Sequence, residues 1–288
     1  MYAVMGITGQ VGGAVARTLL AARQPVRAVV RSAEKGALWA GQGCQVALAD
    51  VDDVQALTQA FSGVDAVFVM MPSNFDPTPG FPEARQVVET LRLALEQARP
   101  GRVVCLSTIG AQATQPNLLN QLQILEQGLG TLDLPVTFLR PGWFMENALW
   151  DVAAAVETGV VPSFLQPLDK QVPMIATADV GRLAAQLLQQ SWSGKRIVEL
   201  EGPQRVTPNQ IAAGFAQLLG KPVRMEVVAR DTWQALFTRQ GMNNPLPRMQ
   251  MIDGFNEGWI EFAGESRKGE VELLTVLKDL LIRSGVHG

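Results

Sequence analysis

The segment MYAVMGITGQVGG, residues 1–13, limits this chain more than any other: Gly6, Gly9 and Gly12 stand three apart directly behind a five-residue apolar run. This spacing lets a strand turn into a helix around a pyrophosphate. The first glycine permits the tight turn, the second lets backbone N–H groups approach phosphate oxygens, and the third lets the helix pack close to the strand. The anion then rests on the positive end of the helix dipole. VGGAVARTLLAARQ behind the turn reads as that helix. The expectation is a dinucleotide site formed by Gly6, Thr8, Gly9, Gln10, Val11 and Gly12, and the plain alternative is a strand-to-helix turn that holds no ligand.

The rest of the first half repeats the same grammar. Apolar runs PVRAVVR, CQVALA, DAVFVMM, RVVCLST and PVTFLRP alternate with amphipathic stretches such as VQALTQAF and EARQVVETLRLALEQA. That alternation predicts an α/β fold, a Rossmann-type doubly wound parallel sheet covered on both faces. From about residue 148 the pattern loosens. GVVPSFLQPLDKQVP reads as a proline-punctuated loop, ADVGRLAAQLLQQ as a helix and KRIVELEG as a strand; from Thr207 on the chain reads as mainly helical with one strand at PVRMEVV. Residues 1–148 and 172–201 are therefore expected to form the dinucleotide-binding domain. Residues 149–171 and 202–288 are expected to form a smaller, mainly helical substrate or lid domain, closing over a cleft at the carboxyl ends of the strands.

Charge and cysteine usage exclude several function classes. With 24 basic and 27 acidic residues the 288-residue chain carries a formal charge of -3, and it has no basic tract suited to nucleic acid. Cys44 and Cys105 share no metal-ligand spacing and the single histidine is His287, so no zinc or other metal site is expected. The chain starts inside its first strand without a charged leader, and no apolar run approaches the ~18 residues of a membrane span, so a cytoplasmic location is expected. The partner expected is a small-molecule substrate; oligomeric state is left open.

The strand ends refine the cofactor. The residue that meets the adenosine ribose lies about 20 residues beyond the glycines, and here that position, closing the second strand, holds Arg31. A site selective for NAD would place a carboxylate there. Arg31, with Ser32 beside it and Lys35 one turn on, instead suits a 2′-phosphate, which points to NADP(H); a solvated surface arginine is the bland alternative. Asp50 closes the third strand and could accept from the adenine amino group, with Val51 against the ring, or cap the helix starting near Asp52. Both readings stay open. Met70, Met71 and Pro72 end the fourth strand, where they would line the pyrophosphate and nicotinamide ribose or simply pack.

Together these residues resemble the NmrA-like family of atypical short-chain dehydrogenase/reductases, whose members include NADPH-dependent quinone and dye reductases and NADP-sensing regulators. Besides GITGQVGG and VVRS, the resemblance rests on LSTIGA, on PVTFLRPGWFMEN from Pro135 to Asn147, and on VPMIATADVGRLAA from Val172 to Ala185. It implies that Pro141, Gly142 and Phe144 approach the nicotinamide, with Trp143 and Asn147 near the substrate. Hydrophobic core is the competing role for the two aromatics.

Ordinary short-chain dehydrogenases move the proton with a tyrosine and a lysine four residues later. This chain has neither: its one tyrosine is Tyr2, inside the first strand, and no lysine lies between Lys35 and Lys170. QPNLLNQLQILEQGL offers amides and Glu126, with Leu122 where many NmrA-like relatives carry a lysine. Glu126 reads as structural or orienting. Ser107 is retained and could orient a substrate oxygen, with Thr108 beside it, unless both hydroxyls serve nearby backbone. Reduction of a simple ketone needs a proton donor contributing roughly 10²- to 10⁴-fold. A quinone or conjugated cation gives a delocalised product that water can protonate. The leading expectation is an NADPH-dependent reductase of such an electrophile; the alternative is a sensor that binds NADP and performs no chemistry.

Overall fold

The computed structural model describes residues 1–286; His287 lies outside the described residues. In chain order the first half runs β1 (Tyr2–Val4), α1 (Gln10–Ala21), β2 (Val26–Val30), α2 (Ala33–Ala40), β3 (Gln45–Leu48), α3 (Val54–Phe61), β4 (Ala66–Val69), α4 (Pro82–Ala98), β5 (Val103–Leu106), α5 (Asn120–Gly130) and β6 (Val136–Pro141). It continues with β7 (Trp143–Phe144), a 3₁₀ turn (Met145–Asp151), α6 (Val152–Glu157), β8 (Val160–Ser163), β9 (Met174–Ile175), α7 (Thr177–Gln189) and β10 (Lys195–Glu201). The last part holds α8 (Pro208–Leu219), β11 (Arg224–Val227), α9 (Trp233–Arg239), α10 (Leu246–Glu257), β12 (Arg267–Lys268) and α11 (Leu273–Arg283).

The main sheet has eight strands in the order β12-β10-β6-β5-β4-β1-β2-β3. β1 pairs in parallel with both β2 and β4, so the chain reverses its winding direction between β1 and β4. Ligands of open α/β sheets bind at the carboxyl edge of such a switch point. The expected doubly wound parallel sheet is therefore the observed one. The central strands β1, β4 and β5 are buried along their whole length, which accounts for their unbroken apolar character.

Two compact units divide the chain. The first comprises Met1–Ala111, Leu119–Arg140 and Val180–Val198; the second comprises Gln112–Leu118, Pro141–Asp179 and the chain from Glu199 onward. The first unit is knit by a core of fully buried Leu57, Phe61, Leu91, Leu95 and Leu125 under the sheet residues Val67, Val69, Val103 and Cys105. Gly181 lets α7 lie directly on α1, since a Cβ there would overlap Ala14 and the Val15 backbone.

The second unit takes in residues 112–118, 141–148, 172–179 and 199–201, beyond the boundaries expected from sequence. Trp143 and Phe144 pair in parallel with Met174 and Ile175, and this ladder is tied to the rest of the unit where Trp143 meets Phe255 and Asp179 accepts from the Glu270 and Val271 N–H groups. A correction also falls on GVVPSFLQPLDKQVP: it is not all loop, because Val160–Ser163 pairs with Arg224–Val227 in a two-stranded parallel sheet. Pro162 fits this edge because the missing N–H leaves no ladder bond broken on an exposed side. Phe164 in the same stretch packs on Trp233 and Phe237 at ring separations of 5.5 and 5.1 Å.

Candidate functional site

The first unit carries the glycine turn as expected. Gly6 sits at φ 61°, the left-handed region open to glycine, and the Gly9 N–H donates to the Gly6 carbonyl at 2.9 Å. A Cβ at Gly12 would overlap the Gly6 carbonyl, and one at Gly6 would strike the Met70 sulfur. The turn is thus pressed between α1 and the end of β4. Gly9 is the N-cap of α1 and offers no side-chain cap to the N–H groups of the first turn. A helix N-terminus that no side chain caps is a place a pyrophosphate could rest. Thr8, Gly9 and Gln10 are exposed here, while Val11 and Gly12 are buried beneath them.

At the ends of β2 and β3 the polar groups have distinct duties. Arg31 is exposed and makes no hydrogen bond or ion pair among the described residues. Ser32 caps α2, its Oγ accepting the Lys35 N–H at 3.4 Å, and the Lys35 side chain is exposed in that first turn. Arg31, Ser32 and Lys35 thus all lie between the end of β2 and the first turn of α2. Asp50 is exposed and its Oδ1 accepts the Val51 N–H at 2.7 Å. It does not cap α3. Asp53 does, accepting the Ala56 N–H at 2.9 Å, which removes the capping alternative for Asp50. Beyond β4, Met70 is half-buried, Met71 is buried and Pro72 is exposed.

Beyond β5 lies a group that the sequence reading only half anticipated. Ser107 is buried and its hydroxyl donates to Glu126 Oε1 at 2.5 Å. Arg140, the last residue but one of β6, donates from Nε to the same oxygen at 2.8 Å and from Nη2 to Oε2 at 2.6 Å. Arg140 is 4% exposed and Glu126 12%. The orienting role read for Glu126 thus has a specific form. The sequence does hold the missed signal: a lone arginine inside the buried run VTFLRP demands an acid. Because the Ser107 proton is given to Glu126, Ser107 as placed can only accept from a ligand. The Thr108 hydroxyl next to it is half-buried, carries no hydrogen bond among the described residues and keeps its proton to offer. Burial, aided by the charge of Glu126, pushes the Cys105 thiol well up, so it is no nucleophile.

The second unit holds Pro141, Gly142, Trp143, Phe144 and Asn147. Gly142 donates to the Leu200 carbonyl at 2.9 Å, and its glycine identity is explained by the Pro173 carbonyl, which a Cβ would overlap. Trp143 meets Phe255 edge to face at 5.1 Å. Phe144 is half-buried and Asn147 exposed. The two most distinctive sequence segments bind each other: the Glu146 carboxylate of RPGWFMEN accepts the Thr177 N–H at 2.9 Å and the Thr177 hydroxyl at 2.6 Å, at the start of α7. Asp179, two residues on, accepts from the Glu270 and Val271 N–H groups, both at 2.9 Å. Among the described residues there is no cluster suited to a metal ion and no helix long and apolar enough to cross a membrane.

The glycine turn, the uncapped helix and the switch point meet their counterpart in known sequences: residues 6–191 match the family model described as NAD(P)H-binding. The chain belongs to this NAD(P)H-binding family. Within it, an NAD(P)H azoreductase of Xenophilus azovorans is 31% identical over 264 residues, covering 89% of this chain and 85% of the relative. Quinone oxidoreductase 2 of Escherichia coli (strain K12) is 28% identical over 251 residues, covering 86% and 85%. The crystal structure of the NADPH-dependent quinone oxidoreductase QOR2 of Escherichia coli complexed with NADPH superposes with a TM-score of 0.76 at 25% identity, covering 98% and 94%. The chain is an NAD(P)H-binding oxidoreductase related to quinone and dye reductases, as its resemblance implied, and the sensor alternative is not favoured.

Proposed function

We propose that the protein reduces a quinone-like or similarly delocalised electrophile with NADPH, in the cytoplasm, and that its substrate is a small molecule. The observation that carries this reading is the fate of the Ser107 proton. Held by Glu126, which is itself held by Arg140, it is not available to a nascent alkoxide. Both Glu126 oxygens are already engaged by Arg140, and no tyrosine–lysine pair stands in for a proton donor.

The bound cofactor supplies hydride. Its pyrophosphate would rest on the first turn of α1, and Arg31 with Lys35 would pair a 2′-phosphate. Asp50 keeps one carboxylate oxygen for the adenine amino group. Thr108 donates a hydrogen bond to the acceptor oxygen, and water protonates the product. For a delocalised acceptor, holding the two reactants face to face supplies several kcal/mol, about 7–11 at best.

Oxidation of NADPH by a panel of quinones and cationic dyes tests the reading. Turnover above the spontaneous rate is expected, together with a raised KM in Thr108→Val. No turnover on any of them, with NADPH binding intact, overturns it.

A further inference from the structure

Two loops at the carboxyl edge of the sheet are long: twelve residues, 70–81, separate β4 from α4 and thirteen, 107–119, separate β5 from α5, against five, two and five after β1, β2 and β3. Connections of this length in a compact unit are uncommon, and binding residues concentrate on loops that a rigid scaffold positions. The loop after β4 leaves the carboxyl edge of the sheet beside the glycine turn, as the position of Met70 against Gly6 attests.

The loop is tied down on both sides of one residue. The buried amide of Gln121, in the first turn of α5, donates to the Asn74 carbonyl at 2.9 Å. The Asn74 side chain accepts the Asp76 N–H at 3.1 Å. Pro77 is buried, the Thr78 hydroxyl bonds Glu83, and the Phe81 N–H donates to the Thr78 carbonyl at 3.0 Å. Phe81 is held at φ 57° with its ring packed on the core, a left-handed conformation that bulky residues adopt only when their surroundings impose it. Amid these anchors Phe75 stands 58% exposed, with no ring contact among the described residues.

A single exposed phenyl is ordinary on a protein surface. Here its backbone is fixed at the ligand edge of the sheet, so the entropy of presenting it has been met by folding and the ring is ready to stack. We propose that Phe75 is the specificity-determining residue for the electron acceptor: it stacks on the face of a planar aromatic substrate and favours fused-ring over single-ring compounds. The proposal rests on the reductase reading and names the substrate class within it.

The test uses the full chain saturated with NADP⁺, titrated with 1,4-benzoquinone, 1,4-naphthoquinone and 9,10-phenanthrenequinone, beside steady-state rates with NADPH. In Phe75→Ala, binding of the three-ring quinone should weaken about tenfold, with a matching rise in KM and a smaller effect for one ring. The kcat and the NADPH Kd should stay at their wild-type values. Phe75→Tyr should restore binding and Phe75→Leu should not. Equal affinity of wild type and Phe75→Ala for all three quinones overturns the proposal, as does full restoration by leucine. Wild type that binds quinones through Phe75 without turning them over sustains the proposal and sinks the reductase reading; turnover indifferent to Phe75 does the reverse. A wild type that neither binds nor reduces any quinone sinks both.

Discussion

Arg140 and Glu126 form a two-bond ion pair inside the first unit, and the same Glu126 oxygen that receives Arg140 Nε also receives the Ser107 hydroxyl. Removing one partner leaves the other charged and buried, which costs about 3–5 kcal/mol, whereas replacing both with apolar groups is often neutral. Glu126→Gln should therefore lower unfolding free energy by that amount in urea denaturation, and Glu126→Leu combined with Arg140→Met should recover most of it. A single variant within about 1 kcal/mol of wild type would show that the pair is not desolvated as described.

If Arg31 pairs a 2′-phosphate as proposed, Arg31→Glu removes a charge-assisted pair and adds repulsion. NADPH affinity should fall by about 2–3 kcal/mol or more, with NADH affected far less. Calorimetric titration with both cofactors checks this, and equal losses would remove Arg31 from the phosphate site.

Gly12→Ala drives a methyl into the Gly6 carbonyl. Relief requires α1 to move off the turn, at about 1–3 kcal/mol of stability, and displaces the N–H groups proposed to hold the pyrophosphate. Both the melting temperature and the affinity for either cofactor should drop together. Unchanged affinity in a folded variant would count against the pyrophosphate cradle.

Burial pushes the Asp151 carboxyl up to about 7, and burial also raises Glu146 despite its bonds from Thr177 and the charge of Arg283. An unfolded aspartate titrates near pH 3.9 (roughly), so between there and about 7 the folded chain holds a proton that the unfolded chain has released. Stability contributed by this group thus falls as pH rises through that window and levels off above it. Asp151→Asn should flatten the profile and gain on the order of 1–3 kcal/mol relative to wild type at pH 8, little of it at pH 4. Parallel profiles in the two proteins, followed by urea denaturation, would refute the burial of this carboxyl.

Much of this was legible in the residues because it depends on local rules. The glycine spacing needs only the turn and the close approach of α1, and both are met at Gly6 and Gly12. Unbroken apolar runs announced the strands of a sheet covered on two faces, and the absence of a tyrosine–lysine pair is a fact of composition. Partners far apart in sequence were not legible. Nothing local ties Glu126 to Arg140, or Glu146 to Thr177, and nothing in PSFL announces a strand whose mate lies beyond residue 220. The capping of α3 by Asp53 rather than Asp50 was a matter of one turn, within the usual uncertainty of helix ends.

The sequence by itself determined a dinucleotide-binding α/β chain lacking the usual proton donor, because glycine conformational freedom, hydrophobic period and residue inventory act over short stretches. Only the tertiary structure decided where the polar groups spend their hydrogen bonds. A buried donor must find an acceptor wherever the fold brings one, and so Ser107 faces Glu126, leaving Thr108 the hydroxyl with a proton to give.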